Sequence, residues 1–364
     1  MKTHTALLAA LLLMAPAVAT GTFETISSIA FPEQYMAPDA RSEAMGLAYT
    51  AVAEGPAGLW WNPAAQLELR NVSVGYHQAD QLSDGTEFTA LSAAFEMGYL
   101  RLGAYQNMFS TSGAVDDLVD PLHIAGWNSR TRAGGIALDL GRLMFGEETT
   151  LFASAGINFK SFESKWVDVT NAKASDRDLG VIVGTRQFLG DSDDVHRGWV
   201  SWRLGAALVN IDRTALEFPA DKAQALRLEQ RGRVGLALEG RHGWRHGLGH
   251  ALRWLLTADS QKSKHDDGWS NGTLTRYGAE LTLLGLVSGR LGQVEHGEGS
   301  AWNGTTYGGG LSFVPPGAFF GVRADYASVP YGQDVAVETA HPDAPRRLDR
   351  YSLAVSLKFW SPVR

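Results

Sequence analysis

The chain has 364 residues, no Cys, 20% charged residues and a formal net charge of −7. Without Cys there is no disulfide framework and no thiol chemistry. An acidic balance with no dense Lys/Arg run excludes a nucleic-acid surface.

At the front, Lys2 precedes an uncharged run from Ala6 to Met14, and Ala17-Val18-Ala19 supplies a small-x-small cleavage site. This pattern predicts a secretory signal peptide over 1–19. The run is shorter than the roughly 20 residues a membrane helix needs, and Pro16 breaks it. No long uncharged apolar segment follows. A chain that stays in a membrane without spanning helices must form a closed barrel.

Residues 20–69 show little alternation. Asp39 through Glu54 has helix-compatible spacing, with Ala40, Met45, Ala48 and Val52 as apolar contacts, and Gly55-Pro56 ends it. Leu59-Trp60-Trp61-Asn62-Pro63-Ala64 follows. The region reads as a small element ahead of the barrel.

From Asn71 onward, period-2 patterns predict strands near 71–78, 86–96, 99–109, 130–141, 148–161, 176–188, 198–213, 228–240, 250–262, 272–284, 286–295, 304–314, 317–328 and 347–359. In the fifth, Leu151, Ala153, Ala155, Ile157 and Phe159 oppose Ser154, Gly156, Asn158 and Lys160. In the last, Tyr351, Leu353, Val355, Leu357 and Phe359 oppose Arg350, Ser352, Ala354, Ser356 and Lys358. An apolar face repeated on several strands reads as facing lipid, and the polar face as lining a lumen. The expected fold is all-β: a 14-stranded antiparallel transmembrane barrel over 70–360, with a tail at 361–364. Tight links at Met97-Gly98, Gly285 and Pro315-Pro316 follow even strands, and long links at 110–129, 162–175 and 329–346 follow odd ones. That is the inner-turn, outer-loop asymmetry of an outer-membrane barrel. The aromatics Tyr99, Phe109, Trp199, Trp254, Trp302, Tyr307, Phe313, Tyr326 and Phe359 are expected at the membrane girdles.

Inward positions hold Arg101, Arg203, Arg233, Arg253, Arg276, Arg290, Arg323 and Arg350, with Asp139, Glu239, Asp259, Glu280 and Asp325. These read as an anion path, as a docking surface for the N-terminal element, or as a network satisfied between neighbouring strands. Interleaved signs favour the last, because a strongly selective pore shows one sign. His242, His246 and His250 are four apart, but Gly243, Gly247 and Gly249 argue against a metal-binding helix. No Ser-His-acid arrangement falls on adjacent strands. No catalytic residue, metal or cofactor is assigned.

Two stretches carry a resemblance. Ala40-Arg41-Ser42-Glu43-Ala44-Met45-Gly46-Leu47-Ala48-Tyr49-Thr50-Ala51-Val52-Ala53, with Ala57-Gly58-Leu59-Trp60-Trp61-Asn62-Pro63-Ala64, resembles the N-terminal signature of PorV/PorQ-type outer-membrane proteins of the FadL-like superfamily. Val322-Arg323-Ala324-Asp325-Tyr326-Ala327 and Arg350 through Phe359 resemble that family's last two strands. Leu47 stands where the family usually has a second Gly, Ala65-Gln66-Leu67 follows the Asn-Pro-Ala element, and five residues follow Phe359.

The resemblance implies a bacterial outer-membrane location, a hatch over 20–69 with Met45, Gly46, Trp60, Trp61, Asn62, Pro63 and Ala64 as its motif, and no enzymatic activity. It favours an accessory or cargo-shuttle role in type IX-like secretion, with secreted cargo and secretion-machinery subunits as partners. The alternatives are a FadL-like channel for a hydrophobic small-molecule ligand and a structural barrel without transport. Outer-membrane lipid surrounds the wall. Tyr351, Leu353, Val355, Leu357 and Phe359 resemble the insertion signal read by barrel-assembly machinery.

Overall fold

The computed structural model describes residues 31–65, 72–79, 86–111, 128–146, 149–165, 172–189, 196–215, 227–244, 250–265, 268–269, 273–296, 304–314, 319–330 and 347–358. Fourteen antiparallel strands close into one ring. They are β1 (Val72–Ala79), β2 (Thr86–Met97), β3 (Leu100–Thr111), β4 (Asn128–Asp139), β5 (Leu151–Lys165), β6 (Ala172–Leu189) and β7 (His196–Val209). They continue as β8 (Gln230–Trp244), β9 (His250–His265), β10 (Leu274–Leu283), β11 (Val287–His296), β12 (Gly304–Phe313), β13 (Phe320–Pro330) and β14 (Arg347–Leu357). Each pairs with its neighbour in sequence, and β1 meets β14 from Val72↔Leu357 to Ala79↔Arg350. A two-residue stretch, Gly268–Trp269, pairs with the end of β9. Closure removes the free edges that an open sheet would present.

The outer surface explains why such a ring is stable only in lipid. On β6, Leu179, Val181 and Val183 are 44%, 47% and 45% exposed. On β5 the outward face is apolar from Leu151 to Phe159, then changes to Ser161, Glu163 and Lys165. On β6 the matching change is at Arg177, whose Nε donates to Asp212 at 2.8 Å. Nine residues of tilted strand cover about 20 Å of membrane thickness, close to the ~25 Å apolar band of such barrels. Apolar residues repeated around a closed wall, with charges beginning at one height, place the protein in the bacterial outer membrane.

The N-terminal segment fills the ring. It contains a 3-10 turn at Pro32–Gln34, α1 (Ala40–Ala44) and α2 (Gly58–Trp61). No described side chain between Phe31 and Ala65 is exposed. The main core is therefore inside the lumen, where Tyr49, Val52, Leu59 and Trp61 meet Tyr105, Ile182 and Leu255 of the wall. The helix expected across Asp39–Glu54 is much shorter. Asp39 caps it, accepting from Ser42 N at 2.8 Å, but Gly46 and Leu47 have φ of +63° and +61° and end it. At Gly46 the chain presses on the wall: an added Cβ would lie 2.5 Å from Tyr277 O and 2.6 Å from Gln293 N.

The tight turns at Gly98 and Gly285 are present, with φ of +61° and +66°. The β4–β5 connection instead holds α3 (Leu140–Phe145), capped by Asp139, with Leu143, Met144 and Phe145 exposed beside the turn-side rim. Pro315-Pro316 and residues 112–127, 166–171 and 331–346 of the long connections lie outside the described residues, and β5 and β6 extend through 162–165 and 172–175 of the expected link. Two expected girdle aromatics face inward. Phe109 has the parity of Arg101 on β3 and packs with Met36 and Phe88, and Trp199 has the parity of Arg203 and lies under Arg186 at 4.3 Å. Trp302 and Phe359 lie outside the described residues.

Candidate functional site

The contact between the N-terminal segment and the wall is built on glycines. An added Cβ on Gly278 would lie 2.5 Å from Met45 O, and one on Gly205 would lie 2.5 Å from Thr50 O and 2.7 Å from the Ala51 Cα. Gly156 and Gly180 leave room in the same way for Pro63 and Asn62, and Gly292 for Gly46. Backbone can approach backbone this closely only where the side chain is absent. The wall thus carries a track on β5, β6, β7, β10 and β11 into which the segment's main chain fits.

Asn62 fixes one end of that path. Pro63 disfavours a helical backbone at the preceding residue, and Asn62 is extended, at φ −152° and ψ 121°. Its Nδ2 donates to Thr50 O at 3.1 Å, Val181 O at 3.1 Å and Ala206 O at 3.3 Å. Its Oδ1 accepts from Ala64 N at 3.0 Å. Val181 and Ala206 are register partners on β6 and β7, so one amide ties the turn to both strands. Trp60 and Trp61 stack edge-on at 4.6 Å. The Arg233 guanidinium lies 4.6 Å and 5.3 Å from their ring centroids.

Glu54 is the centre of an ionic cluster. It lies 3.0 Å from Arg41, 3.2 Å from Arg203 and 2.8 Å from Arg253. Arg41 also grips Glu280 with two nitrogens, at 2.7 Å and 2.8 Å. Glu239 shares Arg203 at 2.9 Å and Arg253 at 2.6 Å. Asp259 accepts the Tyr49 and Thr50 amides at 2.9 Å and 2.8 Å. The expectation of a network satisfied between strands therefore needs correction. Arg290–Asp325 at 2.9 Å and Arg323–Asp325 at 2.8 Å are wall pairs, but Glu280, Glu239 and Asp259 join a system completed by Arg41, Glu54 and segment amides. A wall pattern cannot reveal this, because the completing charges come from a region with no strand periodicity.

Near the long-connection end, Glu33 is buried beside Ser129 and Thr131, accepting from Thr131 Oγ1 at 2.7 Å. Burial pushes this carboxyl, on the segment rather than on a spanning strand, up to about 7. Beside it, Gln34, Trp60, Tyr105, Thr131, Lys160 and Phe162 help to line a cavity of about 10 Å³, room for roughly one water.

Met45 and Gly46 touch β10 and β11 rather than the Asn-Pro-Ala turn. On β14, Tyr351 and Leu353 are 49% and 46% exposed to the outside. Val355 and Leu357 are half-buried, and Phe359 lies outside the described residues. His242 is exposed near the end of β8 and His250 opens β9, with His246 outside the described residues. No group of three or more potential metal-ligating His, Asp or Glu side chains occurs among the described residues.

No family model matches the chain, and no curated relative matches it. Among solved structures it is similar to the Pseudomonas putida toluene transporter TodX, at TM-score 0.46 and 11% identity over 88% of this chain and 98% of that one. It is similar to the Ralstonia pickettii toluene transporter TbuX, at TM-score 0.42 and 12% identity over 88% and 98%. A Pseudomonas aeruginosa FadL homologue gives TM-score 0.39 and 11% identity over the same shares.

Proposed function

We propose that this barrel is a gated route for small molecules across the outer membrane, of the FadL-like kind, and that the N-terminal segment is its hatch. The reading is non-enzymatic. The observation that carries it is the chemistry of the seam between segment and wall. Alongside the core, that seam is closed by ion pairs around Glu54, by the hydrogen bonds that Asn62 donates to the wall, and by those that Asp259 and Thr306 accept from segment amides. Water can replace such contacts one for one, whereas an all-apolar seam would hold the plug permanently. Polar interfaces of this kind are where one part of a chain moves against another, and buried ion pairs contribute little net stability relative to apolar packing.

Asn62→Ala tests the reading. It removes the side-chain amide that ties the turn to the wall without altering charge. Uptake of a hydrophobic solute by cells, and conductance of the purified protein in planar bilayers, should both rise. Unchanged permeability with secreted cargo trapped in the periplasm of a deletion strain would instead favour the cargo-shuttle role.

A further inference from the structure

Helix α3, in the β4–β5 connection, is held firmly against the turn-side rim. Asp139 caps it, accepting from Arg142 N at 3.0 Å. Gly141 lies against the start of β5, where an added Cβ would meet Leu151 O at 2.5 Å. The one charged residue of the helix, Arg142, turns back to the wall. It donates to Glu96 Oε1 at 2.7 Å and to Gly98 O at 3.4 Å. Outward the helix presents Leu143, Met144 and Phe145, at 50%, 70% and 61% exposure. Three consecutive helical residues span roughly 200° of the circumference, so the last turn is apolar on most sides. Contiguous exposed apolar side chains on a fixed element mark an interaction surface.

We propose that α3 is sunk in the turn-side leaflet of the membrane, with Leu143, Met144 and Phe145 among the lipid acyl chains, and that it sets the height of the barrel. Gating plays no part in this. Continuity with the lipid-facing wall names the occupant. Ile136 and Leu138 lead down the outside of β4 into the helix, Leu151 opens the outside of β5, and Met97 and Tyr99 stand exposed at the neighbouring turn. A soluble partner would have to enter the lipid to reach this patch. Depth points the same way. On β4 the outward face is charged at Arg132, level with Ser161 of β5, and uncharged from Gly134 to Leu138. That stretch of tilted strand covers about 12 Å of a ~25 Å apolar band. β4 then stops at Asp139, opposite Ser154, and leaves Leu151 and Ala153 without a strand beside them. α3, about 10 Å across, takes the vacated place and makes up most of the missing depth. Gly146 ends the helix at φ +84°, and Glu147-Glu148 follow at once in the sequence. Charges so close to Phe145 hold the helix at the boundary between acyl chains and headgroups, the level at which short apolar faces bind.

The chain has no Cys, so Met144→Cys accepts a single nitroxide label in barrels folded into phosphatidylcholine vesicles. Oxygen should reach this label more readily than a water-soluble nickel chelate does, as it should at Ile136→Cys on the wall. At Lys165→Cys, exposed at the long-connection end of β5, the order should reverse. Nickel access at Met144→Cys equal to that at Lys165→Cys would overturn the proposal and leave the surface to a soluble partner. Protection that disappears when the protein is diluted in lipid would overturn it in favour of a second copy of the chain. A second measurement uses Leu143→Ser, Met144→Ser and Phe145→Ser together. The urea midpoint of this variant should fall in dioleoyl phosphatidylcholine and hold in the thinner dilauroyl lipid, which the strands alone come closer to matching. Equal falls in the two lipids would show that the three side chains pack on the protein, and would sink the idea. Heat-modifiable gel mobility checks that the barrel is folded. If the triple variant does not fold, Phe145→Ser alone should show the same dependence on thickness.

Discussion

The Asn62 side-chain oxygen occupies the space that a Cβ on Gly180 would need. The asparagine of the turn and the glycine of β6 are therefore one fitting, and a change to either disturbs the other. Gly180→Ala should displace the Asn-Pro-Ala turn and cost roughly 1–3 kcal/mol, the usual range for overpacking. Asn62→Ala should open the same seam by removing hydrogen bonds. Leakage of a small dye from proteoliposomes measures both. A tight Gly180→Ala barrel would show that the wall yields more easily than the turn.

Glu54→Gln should weaken closure more than any wall-pair change. It leaves Arg41, Arg203 and Arg253 facing a neutral amide, and removing one partner from a buried ionic cluster typically costs about 3–5 kcal/mol. Arg101→Gln, whose partners Glu96 and Asp139 both belong to the wall, should do much less to closure. Hydrogen exchange across 40–65 distinguishes them, with protection lost in the first variant and kept in the second.

Closure should loosen as pH rises through neutrality. Glu33 has its carboxyl raised from 4.5 to about 7 by burial, so the seated segment prefers the protonated acid. Its contribution is fully present below pH 4.5 and falls as pH climbs toward 7. Above that the loss is complete and amounts to about 3 kcal/mol. Open probability recorded from about pH 4 to about pH 8 should rise across that window, and Glu33→Gln should reduce the response while Glu43, whose carboxyl burial raises to about 8 on the same segment, carries the rest. A slope unchanged by Glu33→Gln would assign the whole effect to another group.

Lys at Leu353 should cost about 2–4 kcal/mol if this position lies near the middle of the bilayer. Lys at Ser356, on the opposite face, should cost less. Ser352 is a poorer comparison than its parity suggests, because its Oγ accepts from Ala40 N at 3.3 Å. Denaturant titration of barrels folded into lipid vesicles gives both values, and equal losses would invert the assignment of the two faces.

The wall is legible in the sequence because period-2 alternation is written into each strand. Leu151 through Phe159 and Tyr351 through Leu357 show it without reference to any neighbour. Trp60, Trp61 and Asn62 stand out by residue type, and the extended backbone at Asn62 follows from Pro63. The partners of Arg41 and Glu54 are not legible. Glu280 and Arg253 lie 239 and 199 residues away, and no local pattern links them. The glycine track is hidden for another reason. Gly156, Gly180, Gly205, Gly278 and Gly292 look like ordinary strand glycines until the main chain they accommodate is in place. Residue type alone misplaces Phe109 and Trp199, although the parity of Arg101 and Arg203 on the same strands points inward.

The contact between Ala40 and Ser352 spans 312 residues, and beside it Glu43 lies 3.5 Å from Arg350. It joins an early part of the chain to β14, the strand that completes the ring against β1. Until β14 is docked, one side of the cup that receives the segment does not exist. Afterwards the segment is enclosed by a continuous hydrogen-bonded wall and can enter only through an end. Assembly therefore has a deadline: the segment must already be in place as β1 and β14 come together, or it must thread into a finished ring. Delaying that final pairing should favour the first route, and a protease added to the periplasmic side during insertion would report which route the chain takes.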